Sequence, residues 1–501
     1  MKAKLVVSYL TQLYLSVISI ILMPFYFHHL GAESFGLVGF HIMLQAWIPI
    51  FDIGLTPVLS REMSRFRAGL LTVEEAAARL RTLEVVFGGL GLIALVLVWF
   101  GSSWIGHRWL SAVTLPEEML ALCILFMGLT VVLRWFAGLQ RAVLVGLEYQ
   151  GLVNGLTAIF ATLRFVGVVP LLIFVSTSPK YFFLFQVIVG TLELIVFVVI
   201  AHHFLPGTIG VKPDWRVFAN MLPMIGSMAF LTAMWVVMTQ VDKLILSGLL
   251  PLTEYGYFSM AVAAASGVLV LVAPLNQVVQ PRLIICAESR DESSLERLYR
   301  SASQFAVVGF VSLGGGVAFF AEPILLIWSG SHVVATAAAP VLFWYGLANA
   351  VVGILVLPFM LQFAKGRLRL HVLGNLILLV TLVPALVLAA QNRGAAGAGQ
   401  VFFVVNLLFL LLWIPLVHRH FMPILTWRWS LNDTLPIVIV MVVLLATASQ
   451  VLPDGLDNLE RLMSIVGILV ITTIVGVLVG NMSRPAVLRL FFGTGNDNSA
   501  C

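Results

Sequence analysis

Residues 83–105 read LEVVFGGLGLIALVLVWFGSSWI, with Glu84 the one charged residue. A helix needs about 20 apolar residues to cross a bilayer core, whereas a membrane barrel strand alternates apolar and polar positions over about 10. Nothing in this stretch alternates, so it reads as a transmembrane helix. The pattern recurs along the chain. Sixty per cent of the 501 residues are hydrophobic and 10% are charged, against about 25% charged in a soluble domain. Such a chain cannot cover a globule in water, and the expected fold is all-α integral membrane.

Fourteen spans are expected, over residues 5–28, 36–60, 83–105, 117–140, 151–175, 181–204, 217–249, 255–281, 301–328, 336–363, 370–390, 397–418, 434–452 and 460–480. The first apolar run, Leu5 to Phe27, is too long for a signal-peptide core and has no small-x-small cleavage site, so it reads as a retained helix. Cys123, Cys286 and Cys501 have neither metal nor redox spacing and receive no role.

Cytoplasmic loops keep Lys and Arg. With Lys2 and Lys4 inside, 21 of the 28 cations fall on that side, including Arg61, Arg65, Arg67, Arg79, Arg81, Arg141, Arg484 and Arg489. Only Arg108, Lys180, Arg393 and Arg461 fall outside, and Arg134, Arg164 and Lys243 lie within spans. Both termini are therefore expected in the cytoplasm. The net charge of +5 is a topology signal, not a sign of nucleic-acid binding. Residues 72–82 and 291–300 both place acids before bases, and read as solvated connectors on the inner membrane surface.

The chain also repeats itself. Gly36, Arg61, Arg81 and Trp109 correspond to Gly256, Arg282, Arg300 and Trp328, at offsets of 219 to 221. An even number of spans per repeat makes the halves parallel, an arrangement in which transporters hold substrate between two rocking halves. The expected organisation is a six-helix lobe over 1–210, a second over 211–425, and two further helices with a cytoplasmic tail over 426–501.

The opening reads PFYFHHLGAESFGLVGF and then IFDIGLTPVLSRE. The turn Leu30-Gly31-x-Glu33-x-Phe35-Gly36, the element Asp52-x-Gly54-Leu55, and the later Asp242-Lys243 and Gly256-Tyr257 resemble the polysaccharide transporter family, which includes the Wzx-type O-antigen flippases. In the second half the corresponding turn, at Leu250-Pro251-Leu252-Thr253, lacks the family's further glycine. The resemblance covers the twelve repeat spans. It implies the fold of the multidrug/oligosaccharidyl-lipid/polysaccharide exporters. It also implies flipping of an undecaprenyl-pyrophosphate-linked oligosaccharide to the outer leaflet of the bacterial inner membrane. The implied partners are the lipid-linked substrate, membrane lipid, and the polymerase and chain-length regulator of the same pathway.

Charges at mid-bilayer cost about 2.5–3.5 kcal/mol on insertion scales and mark sites or pairs. Counting from the turns near Tyr149 and Ser178 places Arg134, Arg164 and Glu193 at nearly equal depth. Arg134 and Arg164 are the candidate ligands for phosphate, because the guanidinium fork donates in pairs. Glu193 is the neutralising partner or an ion-coupling site, and a purely structural Arg–Glu bridge is the alternative. Asp52 is either a coupling carboxylate or part of a helix bend with Gly54 and Pro57. Asp242 and Lys243 are adjacent and about 100° apart on a helix, so they are expected to bridge to other helices or gate the outer mouth rather than pair together. Gln277, Asn349, Gln362, Asn375 and Asn406 line a sugar path or join helices. His202, His203, His418 and His420 are expected at the membrane interface.

No nucleotide loop, metalloprotease motif or long outer loop with paired acids is present in the sequence. No catalytic residue, metal site or cofactor is expected, and a proton or sodium gradient is the candidate driving force. Three alternatives stay open: a lipid II-type peptidoglycan precursor flippase, a cation-coupled drug antiporter, and a membrane-embedded polymerase or glycosyltransferase.

Overall fold

The computed structural model describes residues 2–483 apart from 53, 206, 208, 209 and 454; the side chains of 2–10 and of 217, 220, 223, 224, 227, 228 and 231 are also outside the described set. Lys2, Lys4, Arg484, Arg489 and Cys501 therefore lie outside the described side chains. The described chain is helical throughout, with one isolated β-bridge between Ser111 and Pro251. Twelve helices among the described residues are long and apolar enough to cross a membrane. The chain is an all-α, multi-pass membrane protein.

Twelve and fourteen differ at two places. The helix Trp215–Leu249 carries the expected seventh span but contains undescribed side chains. The expected spans 370–390 and 397–418 run together as Arg369–Phe421. That 53-residue segment is not straight. Gly394 sits at φ 59°, ψ −148°, a conformation open essentially to glycine alone. A Cβ on Gly397 would lie 2.7 Å from the Ala389 carbonyl, eight residues back, where a straight helix puts about 12 Å between them. A Cβ on Gly374 would meet Phe409 and Trp413, and Gly374 and Trp413 are nearly equidistant from Gly394. The segment is an antiparallel helical hairpin.

Other boundaries move for local reasons. The expected span 36–60 is three helices, Ala32–Ala46, Ile48–Phe51 and Leu55–Arg67. Gly54, left-handed at φ 76°, breaks the ladder before the third. The connectors at 72–82 and 291–300 are not separate surface segments. They form the first turns of the long helices Val73–Trp104 and Glu292–Phe319. Each begins with a cap that satisfies backbone donors the first turn leaves open. Thr72 and Glu75 form a reciprocal capping box, and the Asp291 carboxylate accepts from Ser294 N–H at 3.0 Å.

Hydrogen bonds from the Ser294 side chain and backbone, and then from Ser293, pull the Asp291 carboxyl down to about 2. Its unfolded value is near 4. A depressed carboxylate contributes stability in full above about pH 4 and loses it as pH falls toward 2. Amide exchange at Ser294 should therefore stay protected on acidification to about pH 4 and accelerate only below it.

The chain forms two compact units, Met1–Gly256 and Tyr257–Cys501. In the first, Val58, Leu59, Met63, Leu80 and Phe87 form a core with Trp135, whose ring lies 4.7 Å from that of Phe87. The helix Trp215–Leu249 packs on Ala32–Ala46, Leu55–Arg67 and Val73–Trp104, all within the first unit. The packing division thus falls later than the lobe boundary expected at 210. In the second unit, Leu283, Tyr299, Val307, Leu357, Met360 and Trp429 form the core. The last two apolar helices, Trp429–Val451 and Asn458–Val479, pack on Glu292–Phe319. His418 is fully buried there and bonded to Tyr299 Oη at 2.8 Å.

The start of the helix Leu252–Ser266 rests against Ala32–Ala46. A Cβ on Gly36 would strike the Leu252 carbonyl, and a Cβ on Gly256 the Ala32 carbonyl. Residues 32 and 252, like 36 and 256, are 220 apart. The contact is reciprocal. Gly36→Ala and Gly256→Ala should each destabilise by about 1–3 kcal/mol through overpacking. The double variant should cost less than the sum, because one separation of the helices relieves both clashes. Thermal unfolding in detergent reads both effects.

Candidate functional site

The helices Glu117–Gly146, Gln150–Phe165 and Pro179–Phe204 of the first unit carry the intramembrane charge. Arg164 and Glu193 are both buried, and Arg164 Nη2 donates to Glu193 Oε2. Arg164 lies in the last turn before a break in its helix at Val166–Gly167. Its carbonyl accepts from Gln186 Nε2 at 3.4 Å, so the break is held by a side chain of the neighbouring helix.

Arg134 is half-buried and lies close enough to feel the charges of Arg164, Glu193 and Arg141. It has no ion pair of its own among the described residues. Arg141 completes the group. The helix that carries Arg134 continues to Gly146, so Arg141 is not the loop cation that the sequence suggests. It stands 3.5 Å from Glu193 Oε1, with its guanidinium 5.6 Å over the Phe197 ring. Positions 134 and 141 are seven apart, two turns of one helix face. That spacing was the signal available in the sequence.

His41 was missed as well. It is buried, bonded to Gln45, and edge-on to Phe183 at 5.5 Å. It feels the charges of Arg134 and Arg164. Two guanidinium groups thus pair with one carboxylate, with a third guanidinium and an imidazole close by. The Nε–H groups of Arg134 and Arg164 and the Nδ1 of His41 are buried without a hydrogen-bond partner. Buried donors cost about 1–3 kcal/mol when left unmade. The arrangement is short of anionic acceptors, and an anion with several oxygens would supply them.

The remaining expected residues fall elsewhere. Asp52 accepts from Thr56 N at 3.2 Å and from Thr56 Oγ1, capping the helix that follows the Gly54 break. Asp242 is buried, and Lys243 Nζ reaches it at 3.3 Å while donating to the Thr239 carbonyl at 2.7 Å. This corrects the expectation that these neighbours do not pair. The Cα–Cβ vectors diverge, but four methylenes let the ammonium curl back. Glu33, from the quoted turn, accepts from Val113 N, Thr114 N and Thr114 Oγ1, and so pins the loop after the third span.

In the second unit Asn349 Nδ2 donates to the Ala265 carbonyl at 2.9 Å, joining two helices. Gln362 and Asn406 donate to the carbonyls of Pro358 and Phe402, four residues back on their own helices. Asn375 bonds His371, also one turn away, at 3.0 Å. Gln277 is exposed. His202 is not idle, for its Nε2 lies 3.0 Å from the buried Glu84, which also holds Gln140 and Arg81. No group of three or more His, Cys, Asp or Glu side chains is placed to hold a metal ion among the described residues.

No protein-family model matches the chain, and no curated protein sequence matches it. Solved structures do match in fold. The lipid II flippase MurJ, in an inward closed conformation, aligns with a TM-score of 0.68 at 12% identity, covering 97% of this chain and 100% of that one. An inward-facing multidrug resistance MATE family transporter of the MOP superfamily aligns with a TM-score of 0.68 at 12% identity, covering 81% and 95%. A MOP superfamily transporter from Pyrococcus furiosus, described as having a binding pocket of reverse polarity, aligns with a TM-score of 0.53 at 13% identity, covering 84% and 97%. The three are described as a flippase and two transporters. The fold of this chain is the one that these MOP-type proteins share.

Proposed function

We propose that this protein is a flippase that carries a polyprenyl-diphosphate-linked saccharide from the inner to the outer leaflet by alternating access. The observation that carries the reading is the layer of buried Arg164 and half-buried Arg134 and Arg141 near the buried Glu193, with the Nε–H groups of Arg134 and Arg164 left without partners. A diphosphate offers several acceptor oxygens and more than one negative charge, which is what those groups lack. A cationic drug would meet repulsion in the same place, so the layer argues against the drug antiporter. Glu193 is then the charge-balancing residue and a candidate for ion coupling. Asp242 is a second candidate, and Asp52 is occupied as a helix cap.

Coverage bears on the cargo. The MurJ alignment leaves 3% of this chain unmatched, so it reaches into the last two apolar helices. The MATE and Pyrococcus alignments take in 95% and 97% of those chains yet leave 19% and 16% of this one. That favours a lipid II-type precursor. The quoted motifs favour a surface-polysaccharide repeat unit such as O-antigen, for which a polymerase and a chain-length regulator would be the partners. Both cargoes share the diphosphate. In this reading the membrane is the bacterial cytoplasmic membrane, both termini are cytoplasmic, and a proton or sodium gradient drives the cycle. The rocking bodies are the lobes 1–210 and 211–425, with 426–501 attached.

Proteoliposomes containing the purified protein test the reading. Fluorescent lipid II, an undecaprenyl-diphosphate oligosaccharide and a neutral glycolipid are offered in parallel. Transport of one or both diphosphates and not of the neutral lipid is expected. Equal transport of the neutral lipid, or transport of none, removes the basis for the proposal.

A further inference from the structure

The second unit contains a cavity of about 580 Å³ that the transport reading does not use. Its walls come from four places in the sequence. They are the segment from Ala318 through the helix Ala321–Ser329, the first turns of His332–Ala364, the end of Trp429–Val451, and Arg461 on Asn458–Val479. The repeat helices thus make one side and the two added helices close the other. This end of the unit is the one that the Lys and Arg distribution assigns to the outside.

Its lining decides what fits. Glu322, His332, Gln450, Ser449 and Arg461 supply polar groups, and Phe343 supplies an apolar wall. Phe343 is braced edge-on by Phe319 at 5.7 Å. The side chains of Glu322, His332 and Gln450 make no hydrogen bond or ion pair among the described residues, so their capacity is open to a ligand. An anion is disfavoured by Glu322 on the wall. A metal ion would find too few ligands, since no cluster of three exists among the described residues. A lipid tail would strip water from five polar side chains without replacing their bonds. A saccharide meets each condition. Its hydroxyls donate to the carboxylate and accept from the guanidinium, amide and imidazole do either, and the Ser449 hydroxyl, which donates to the Ala446 carbonyl at 2.9 Å, accepts. Its C–H face lies against the aromatic wall. The volume is within the range of about 300–1,000 Å³ typical of small-ligand sites.

We propose that this cavity is an outer-face saccharide site that receives the sugar headgroup of the flipped lipid, and that the two added helices serve to complete it. The inference deepens the flippase reading and rests on it for the source of the saccharide. After flipping, the headgroup would be held by side chains other than the arginines, which favours release over return.

Saturation-transfer NMR on the full-length protein in nanodiscs tests it, with di-N-acetylchitobiose and maltose as probes. Transfer to at least one sugar is expected, weakened about tenfold or more in Glu322→Ala and in Gln450→Ala, each of which removes a polar partner. Transfer should be unchanged in Phe174→Ala, which alters an exposed side chain of the first unit. Ala339→Trp, which fills the cavity rather than removing a charge, should abolish it. Transfer to neither sugar, or equal transfer in all the variants, overturns the site. Sugar binding by a protein that flips no lipid would leave the cavity standing and remove the flippase reading. Flipping without sugar binding would do the reverse.

Discussion

Arg164→Ala is expected to lower stability by about 3–5 kcal/mol, the cost of leaving a buried partner charge uncompensated. Glu193 is almost fully buried, and Arg164 is its close partner. Arg141 stays within 3.5 Å of the other carboxylate oxygen, which places the expected loss toward the lower end. Lost transport in that variant alone is therefore ambiguous, because the fold itself is weakened. The double variant Arg164→Leu/Glu193→Leu removes both charges and restores apolar packing. A buried pair exchanged for apolar residues of similar volume is often neutral or stabilising, so its unfolding temperature in detergent should return to near that of wild type. If Arg164 binds the diphosphate, the double variant folds and does not flip. Wild-type flipping by the double variant would make the pair structural and move the anion site to Arg134 and Arg141. Unfolding temperature and proteoliposome transport, measured on the same preparations, separate the outcomes.

Asp433→Ala should be comparably severe, for a reason unconnected with transport. Asp433 is fully buried and accepts from Arg300 Nε at 2.7 Å, Arg300 Nη2 at 2.9 Å and Gln304 Nε2 at 3.0 Å. The guanidinium fork and both carboxylate oxygens are engaged, the strong geometry for such a pair. Gln304 Oε1 in turn accepts from Met482 N at 2.9 Å and Ser483 N at 3.0 Å. One carboxylate therefore ties the start of Trp429–Val451 and, through Gln304, the chain after Asn458–Val479 to the helix Glu292–Phe319. Removing it leaves Arg300 only the longer ion pair with Glu296, at 3.6 Å, which places the loss toward the lower end of about 3–5 kcal/mol. The predicted signature is local: faster amide exchange at Met482 and Ser483, and protease sensitivity around 429–434, before the rest of the unit opens. Asp433→Asn keeps an acceptor for Gln304 and should lose less. Unchanged exchange at Met482 in the alanine variant would mean that apolar packing alone fastens these helices.

Much of this molecule could be read from its sequence, because lipid imposes a rule that each segment must satisfy alone. Every backbone group in hydrocarbon has to be bonded within its own helix. Span number, their apolar faces and the duplication at an offset of about 220 are therefore written locally. So were Arg164 and Glu193, since depth along a helix is a matter of counting residues from a turn. Caps such as Thr72 and Asp291 are local too, although the sequence did not reveal that the helices they open run unbroken into the membrane.

What the tertiary structure alone decided concerns direction around the helix and reach of the side chain. Arg141 joins the site because its helix continues for two turns past Arg134. Lys243 turns back to its own neighbour. His41 enters because Ala32–Ala46 presents it to Phe183, and the Glu33 carboxylate accepts from the Val113 N–H, 80 residues away. The turn between the spans 370–390 and 397–418 was legible in the sequence, and the backbone angles add that the reversal falls at Gly394. The outer cavity is built from four distant segments. Each of these depends on which neighbours surround a residue in three dimensions, and the periodicity of a single helix does not encode that.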